Sequence, residues 1–159
     1  MKFKRFLIIG LATMILIPTA NVQANLLTPV EAIQNEVIIA QMLDYINVER
    51  ARVGAGPLQL DVQLIQVAQA KSEDMHAHKI LSHTSPTYGS VANLLRYFDV
   101  NYTKMGENIA QGQPAVHTVM RAWMNSPGHK ANILNPRFTH IGIGYVEDSH
   151  YWTQLFIKK

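Results

Sequence analysis

Three short segments of this chain each offer one side chain able to hold a proton or a metal ion. Ser82-His83-Thr84-Ser85-Pro86 carries an imidazole, Gly106-Glu107-Asn108-Ile109 a carboxylate, and Ser126-Pro127-Gly128-His129 a second imidazole. Each group stands beside residues that break regular structure, so the segments can converge in space without being adjacent in sequence. Two imidazoles and a carboxylate are donors that Zn²⁺ accepts, with water in an open position. Taken singly, each has a plainer use. His83 lies in loop-like sequence, where a solvated or hydrogen-bonded histidine is ordinary. Glu107 can serve a salt bridge; if its segment is a buried strand, it must be paired or its pKa rises. His129 follows Pro127-Gly128 at a helix start, where exposure or capping suffices.

The remaining histidines make weaker cases. His76 and His78 are two apart, so on a helix they point in different directions and form no ligand pair. His140 opens a strand near the motif cluster and is a candidate neighbour of it. His76, His78, His117 and His150 read as solvated. Ser126 and His129 could suggest a serine nucleophile, but no nucleophile-elbow pattern surrounds Ser126. A cap or loop hydrogen bond is the expected use of its hydroxyl. Cysteine is absent, which excludes thiol nucleophiles, cysteine metal sites and disulfides.

Elements to position these groups are legible in the apolar spacing. Residues 25–35 show no clear period and read as an extended lead-in. From Glu36, the recurrence Ile39, Met42, Leu43, Ile46 marks a helix with one buried stripe, stopped by Gly54-Ala55-Gly56-Pro57. Asp61 suits an N-cap, and Leu64, Val67, Ala68 and Met75 face inward on a helix running to about His78. Val91, Leu94, Leu95 and Phe98 predict a shorter helix. Val116, Val119, Met120 and Trp123 predict another, ended by Ser126-Pro127-Gly128. The tail changes period: Ile141, Ile143 and Tyr145 alternate with His140, Gly142 and Gly144. A turn over 147–150 and a second strand over 151–156 follow, and Glu107–Ala110 is compatible with a third. The fold class is therefore α+β, about four helices covering a small antiparallel sheet.

These segments together resemble the CAP superfamily of cysteine-rich secretory proteins, venom antigens and plant pathogenesis-related proteins, and its cysteine-free bacterial branch most. The similarity runs from about Met42 to Phe156. It is carried by Asn47-Val48-Glu49-Arg50, His83, Gly106-Glu107-Asn108-Ile109, Gly128-His129, Ile141-Gly142-Ile143-Gly144-Tyr145 and Tyr151-Trp152-Thr153-Gln154. The resemblance implies an α-β-α sandwich and a cavity holding two histidines and two acidic residues. His83, Glu107 and His129 match three of those four positions. Ser126 stands where members with the full set often carry glutamate, so any metal held by His83 and His129 is expected to be weakly bound. Asn108, Tyr102 and Gln154 are candidate polar supports.

The first 24 residues have the layout of a secretory signal peptide. Lys2, Lys4 and Arg5 precede an apolar run from Phe6 to Ile17, and Val22-Gln23-Ala24 supplies small residues for cleavage. The run is short against the ~20 residues that span a bilayer. Its removal takes three of the 14 basic residues and leaves 11 against 11 acidic ones, so the exported chain is neutral. Nothing then favours a nucleic-acid partner. Residues 36–159 form one domain, large enough to bury a core without disulfides.

Three functions fit an exported protein of this kind, whether secreted, periplasmic or associated with the cell envelope. The first is a binding module whose cavity of His83, Glu107, His129 and Ser126 takes a small apolar or lipid-like ligand, or an envelope component. Tyr88, Tyr97, Phe98 and Tyr102 could line its groove, although ordinary packing is the commoner use of such rings. The second is a metal-assisted hydrolase with Glu107 as base. The third is an extracellular interaction protein that meets a host or envelope protein, its cavity vestigial. The sequence leans away from an enzyme and does not specify an oligomeric state.

Overall fold

The computed structural model describes the backbone of residues 29–159 and side chains from residue 35 onward; the leader and residues 25–28 lie outside the described residues. Helix α1 spans Pro29–Arg52. The extended lead-in expected up to residue 35 is therefore helical from Pro29. A buried stripe is only one source of helix. Here Pro29 suits the first turn, and Glu31, Ala32 and Gln34 are good helix formers. Just past the end of the helix stands Gly54, whose φ of 72° is the left-handed conformation that glycine accepts without strain.

Strand β1 is Gln59–Leu60, and α2 follows over Val62–His78. Asp61 caps α2 as expected, accepting from the Leu64 amide at 2.8 Å. Helix α3 covers Val91–Tyr97, β2 Lys104–Gln111, α4 Val116–Met124, α5 Pro127–Ile133, β3 His140–Val146 and β4 Tyr151–Lys158. The sheet order is β1-β3-β4-β2. Its three long strands are antiparallel, but β1 runs parallel to β3, so the sheet is mixed rather than wholly antiparallel. Two residues are too few to show an alternation, so β1 leaves no signature in the sequence. Helix α5 is a further departure: Ser126-Pro127-Gly128 ends α4 and at once begins a new helix, with Pro127 in its first turn.

Both faces of the sheet are covered. On one side Met42 and Ile46 of α1, Val119, Met120 and Trp123 of α4 and Ile133 of α5 pack on Ile141, Ile143, Trp152 and Phe156. On the other, Leu64, Val67 and Ala68 of α2 with Leu94 and Leu95 of α3 pack on Leu155 and Ile157. The alternation Ile-Gly-Ile-Gly in β3 therefore separates two buried faces. A Cβ at Gly142 or Gly144 would overlap the backbone of α2 at Leu64 and Ala68. Glycine there lets the helix lie directly on the strand.

A buried cation fastens the layers on the α1 side. Arg50, fully buried, donates to the carbonyls of Gly56, Ile133, Asn135 and Phe138 at 2.7–3.2 Å. It ties the end of α1 to the end of α5. Asn47 completes that corner by exchanging two hydrogen bonds with the backbone of Leu58.

Candidate functional site

Strand β2 lies at the sheet edge, and its period of two sorts Gly106, Glu107 and Asn108 onto opposite faces. Gly106 faces Phe138 and Asn132, where a Cβ would crowd both side chains. Asn108 points to the same side and is fully buried. Its amide donates to the His129 carbonyl at 3.1 Å and to Gln154 Oε1 at 3.0 Å, and its oxygen accepts from Asn132 at 2.9 Å. Asn132 also donates to the Glu107 carbonyl at 3.1 Å. The start of α5, which carries His129, is thus bonded directly to the strand that carries Glu107.

Glu107 turns the other way, toward the loop after α2. Its Oε1 accepts from Nδ1 of His83 at 2.6 Å. The carboxylate is 3% exposed and the imidazole 60%, so a buried charge holds a solvent-facing ring. An ionised carboxylate can only accept, which places the proton on Nδ1 and leaves Nε2 as a free acceptor. The second carboxylate oxygen, Oε2, is buried and has no hydrogen-bond partner. Burial pushes Glu107 above the ordinary carboxylate value, against the opposing pull of the His83 bond and the charge of Lys71.

The loop bearing His83 is held from below by α2. Lys71, fully buried, donates to the carbonyls of Ser82 at 2.7 Å and His83 at 3.3 Å. Asp74 accepts from Ser85 Oγ at 2.6 Å and Thr87 Oγ1 at 2.5 Å. Desolvation alone would raise Asp74, but the two hydroxyls outweigh it and hold the carboxyl below its usual range. Neither Lys71 nor Asn132 was singled out from sequence. Lys71 did carry a signal: it sits on the buried stripe of Val67, Ala68 and Met75, where an ionisable residue needs partners.

His129 stands near His83 and packs its ring 6.5 Å from that of Trp123. Burial first, and the proximity of His83 second, pull it below the ordinary histidine value. His129 therefore lies close enough to His83 to feel its charge, and His83 is bonded to Glu107. Ser126 is not bonded into it: the residue caps α5 through its backbone, and its hydroxyl makes no capping bond. Of the polar supports, Asn108 and Gln154 belong to the network, Gln154 also meeting the sulfurs of Met42 and Met120. Tyr102 instead lines a cleft beside Asp61 and Lys159.

Four other histidines, His76, His78, His140 and His150, make local contacts. His140 pairs across the sheet with Ile157 and bonds Thr139 Oγ1 at 2.8 Å, close enough to Asp61 to be felt there. It is no neighbour of the cluster, because a strand's first residue marks an end of the sheet and does not say which end. His76 bonds Ser149 at 2.6 Å, His78 meets Asp74, and His150 bonds the Tyr145 hydroxyl at 2.9 Å. His76, His78 and His150, which read as solvated, each have a partner, although His76 and His78 stay exposed. Tyr88, Tyr97 and Phe98 pack tilted or edge-on against one another with centroids 5.1–5.9 Å apart.

Among the described residues, no three His, Asp or Glu side chains are grouped to hold a metal ion. Of the residues present, His83 and His129 are those that could hold one, with Glu107 fixing the His83 ring through Nδ1.

The α-β-α sandwich defines a class of fold, and known proteins share it. The chain matches the cysteine-rich secretory protein (CAP) family over residues 43–156, and it belongs to that family. It is 50% identical over 119 residues to the uncharacterised protein YkwD of Bacillus subtilis (strain 168), covering 75% of this chain and 46% of that protein. It is similar to the solved extracellular protein containing a SCP domain from Bacillus anthracis, with 35% identity and a TM-score of 0.77, covering 84% and 45% of the two chains. An outer surface protein from Borrelia burgdorferi shares the fold at 22% identity and a TM-score of 0.70, covering 76% and 91%. The chain spans less than half the length of the Bacillus proteins it matches. No helix among the described residues is long and apolar enough to cross a membrane.

Proposed function

We propose that this chain is an exported binding domain whose His83–Glu107–His129 site takes a small ligand from the cell envelope. The observation that supports it is the unequal exposure of the His83–Glu107 pair. A buried carboxylate fixes an imidazole that faces solvent, while its own second oxygen has no partner. Such a site offers a preset acceptor at His83 Nε2, a second imidazole at His129 and an unmet acceptor at Glu107. Extracellular and outer-surface relatives, together with the leader layout of residues 1–24, support export.

Binding is preferred to metal-assisted hydrolysis because Glu107 already holds His83, an orienting part that leaves it unlike a free base. A divalent ion such as Zn²⁺ would be held by His83 and His129 and would attract an oxygen of the ligand. With two protein ligands its affinity should fall well short of a four-ligand zinc site. Both imidazoles must be neutral to ligate, so binding should weaken in acid.

Titration calorimetry with Zn²⁺ at about pH 7.5 and about pH 5.5 tests the site. Weak binding is expected at the higher pH, less at the lower, and none after His83→Ala or His129→Ala. Equal binding by the wild type and the double alanine variant would overturn it.

A further inference from the structure

We infer that the cleft along the α3–β2 connection is a second binding site, built for a neutral oligosaccharide carrying acetamido groups. Two depressions of about 410 and 360 Å³ border the same segment, Val100-Asn101-Tyr102. Each falls within the ~300–1,000 Å³ usual for small-molecule sites. None of His83, Glu107 or His129 lines it, so this site is independent of the one proposed above.

The groove is preformed. The Val100 amide donates to Leu95 at 2.9 Å, the Thr103 amide to Lys158 at 2.8 Å, and Gln63 Nε2 to the Phe98 carbonyl at 2.6 Å. Asp99, on its wall, holds a φ of 55° as the residue after the α3 C-cap, its amide bonded to Arg96 and that of Val100 to Leu95, so helix termination fixes the wall.

The lining selects the ligand. Two acids, Asp61 and Asp99, face two bases, Arg96 and Lys159, and Asp61 is already ion-paired with Lys159 at 2.5 Å. That balance recruits neither anions nor cations. The apolar side chains of the lining are Ala92, Val100 and Tyr102, and carbon atoms make up more of the larger depression's wall than polar atoms do, in an open surface suited to C–H contact rather than to enclosing an acyl chain or a sterol. Neutral polar capacity is left over. Among the described residues, the Asn101 amide and the Tyr102 hydroxyl have no partner, and Gln63 uses only its amide nitrogen. A pyranose matches this set: one face of C–H groups for the tyrosine ring and a rim of hydroxyls for the amides. An acetamido group adds a C=O and N–H pair that complements the N–H and C=O of Asn101.

Amide chemical shifts of the isotopically labelled exported protein, followed during titration with a β-1,4-linked N-acetylglucosamine tetramer, test the site. Saturable shifts confined to Gln63 and residues 99–103 are expected, with weaker binding of the corresponding glucose tetramer. Asn101 is exposed, so Asn101→Ala should keep the fold; it should weaken the acetylated tetramer about tenfold and make the two sugars equivalent. Tyr102→Ala should abolish saturation for both. Absence of saturation in the wild type, shifts centred on His83 or His129, equal wild-type affinity for the two tetramers, or full affinity in Asn101→Ala would each overturn the proposal.

Discussion

Lys71 donates from its buried ammonium to the main-chain carbonyl of His83, 3.3 Å away, and so anchors the loop from beneath. The same ammonium bonds Ser82 at 2.7 Å and lends its charge to Glu107. Desolvation lowers the Lys71 pKa, while the nearby Glu107 and Asp74 charges oppose that fall. Lys71→Met keeps the bulk and loses the charged donor. It should cost about 1.5–3 kcal/mol, the scale of a hydrogen bond to a charged group. Amide exchange should accelerate in residues 82–85 while β3 stays protected. Unchanged exchange in the loop would mean that Asp74 alone holds it.

Trp123 is 1% exposed, and its indole donates to the Ile109 carbonyl at 3.2 Å. It joins α4 to β2 just before the turn that leads to His129. Trp123→Ala should destabilise by ~3–5 kcal/mol, the range for a large buried aromatic. Urea unfolding measures this directly, and a near-neutral result would contradict the burial.

Most of the fold was readable because its helices bury one stripe each and their ends carry recognisable caps. Met42 and Ile46, Leu64 to Met75, and Val116 to Trp123 all occupy the positions their spacing implied. What escaped had no period to show. Strand β1 is two residues long, the first turns of α1 rest on helix-forming residues rather than an apolar stripe, and α5 begins where α4 stops. The site divides in the same way. His83, Glu107 and His129 stood out by residue type and context. Their supports did not, because Asn132 looks like any polar residue of a helix, and Lys71 is unusual only once its stripe is known to be buried. Of the four aromatics Tyr88, Tyr97, Phe98 and Tyr102, three pack ring against ring, while Tyr102 packs on the same core cluster as Tyr88 and Phe98 and also lines the cleft beside Asp61.

Gly144→Ala should test the contact between sheet and helix. A Cβ there would overlap the Ala68 carbonyl group, a piece of backbone that cannot rotate away. The cost should reach or exceed the ~1–3 kcal/mol typical of overpacking, since α2 must lift from the strand. Because α2 also carries Lys71 and Asp74, the His83 loop should loosen with it. Thermal unfolding indistinguishable from the wild type would show that α2 rides higher than described.

Glu107→Gln separates the charge of the carboxylate from its shape. Burial raises the folded pKa above the ordinary value of 4.5. A group raised in this way binds its proton more tightly when folded. Its contribution is full below 4.5 and is lost as pH rises through the folded value. Glutamine keeps an oxygen to accept from His83 Nδ1 and carries no charge to desolvate. The stability of the glutamine variant relative to the wild type should therefore increase as pH rises from about 4 to about 7.5, measured by urea unfolding at each end. A difference that stays flat, or that moves toward the wild type with rising pH, would mean that the Lys71 and His83 interactions outweigh burial and that the ionised carboxylate stabilises the fold. Zn²⁺ binding separates the roles further. If Glu107 orients His83, Glu107→Gln should weaken the ion by about 10- to 100-fold, as removal of an outer-shell partner does, without abolishing it.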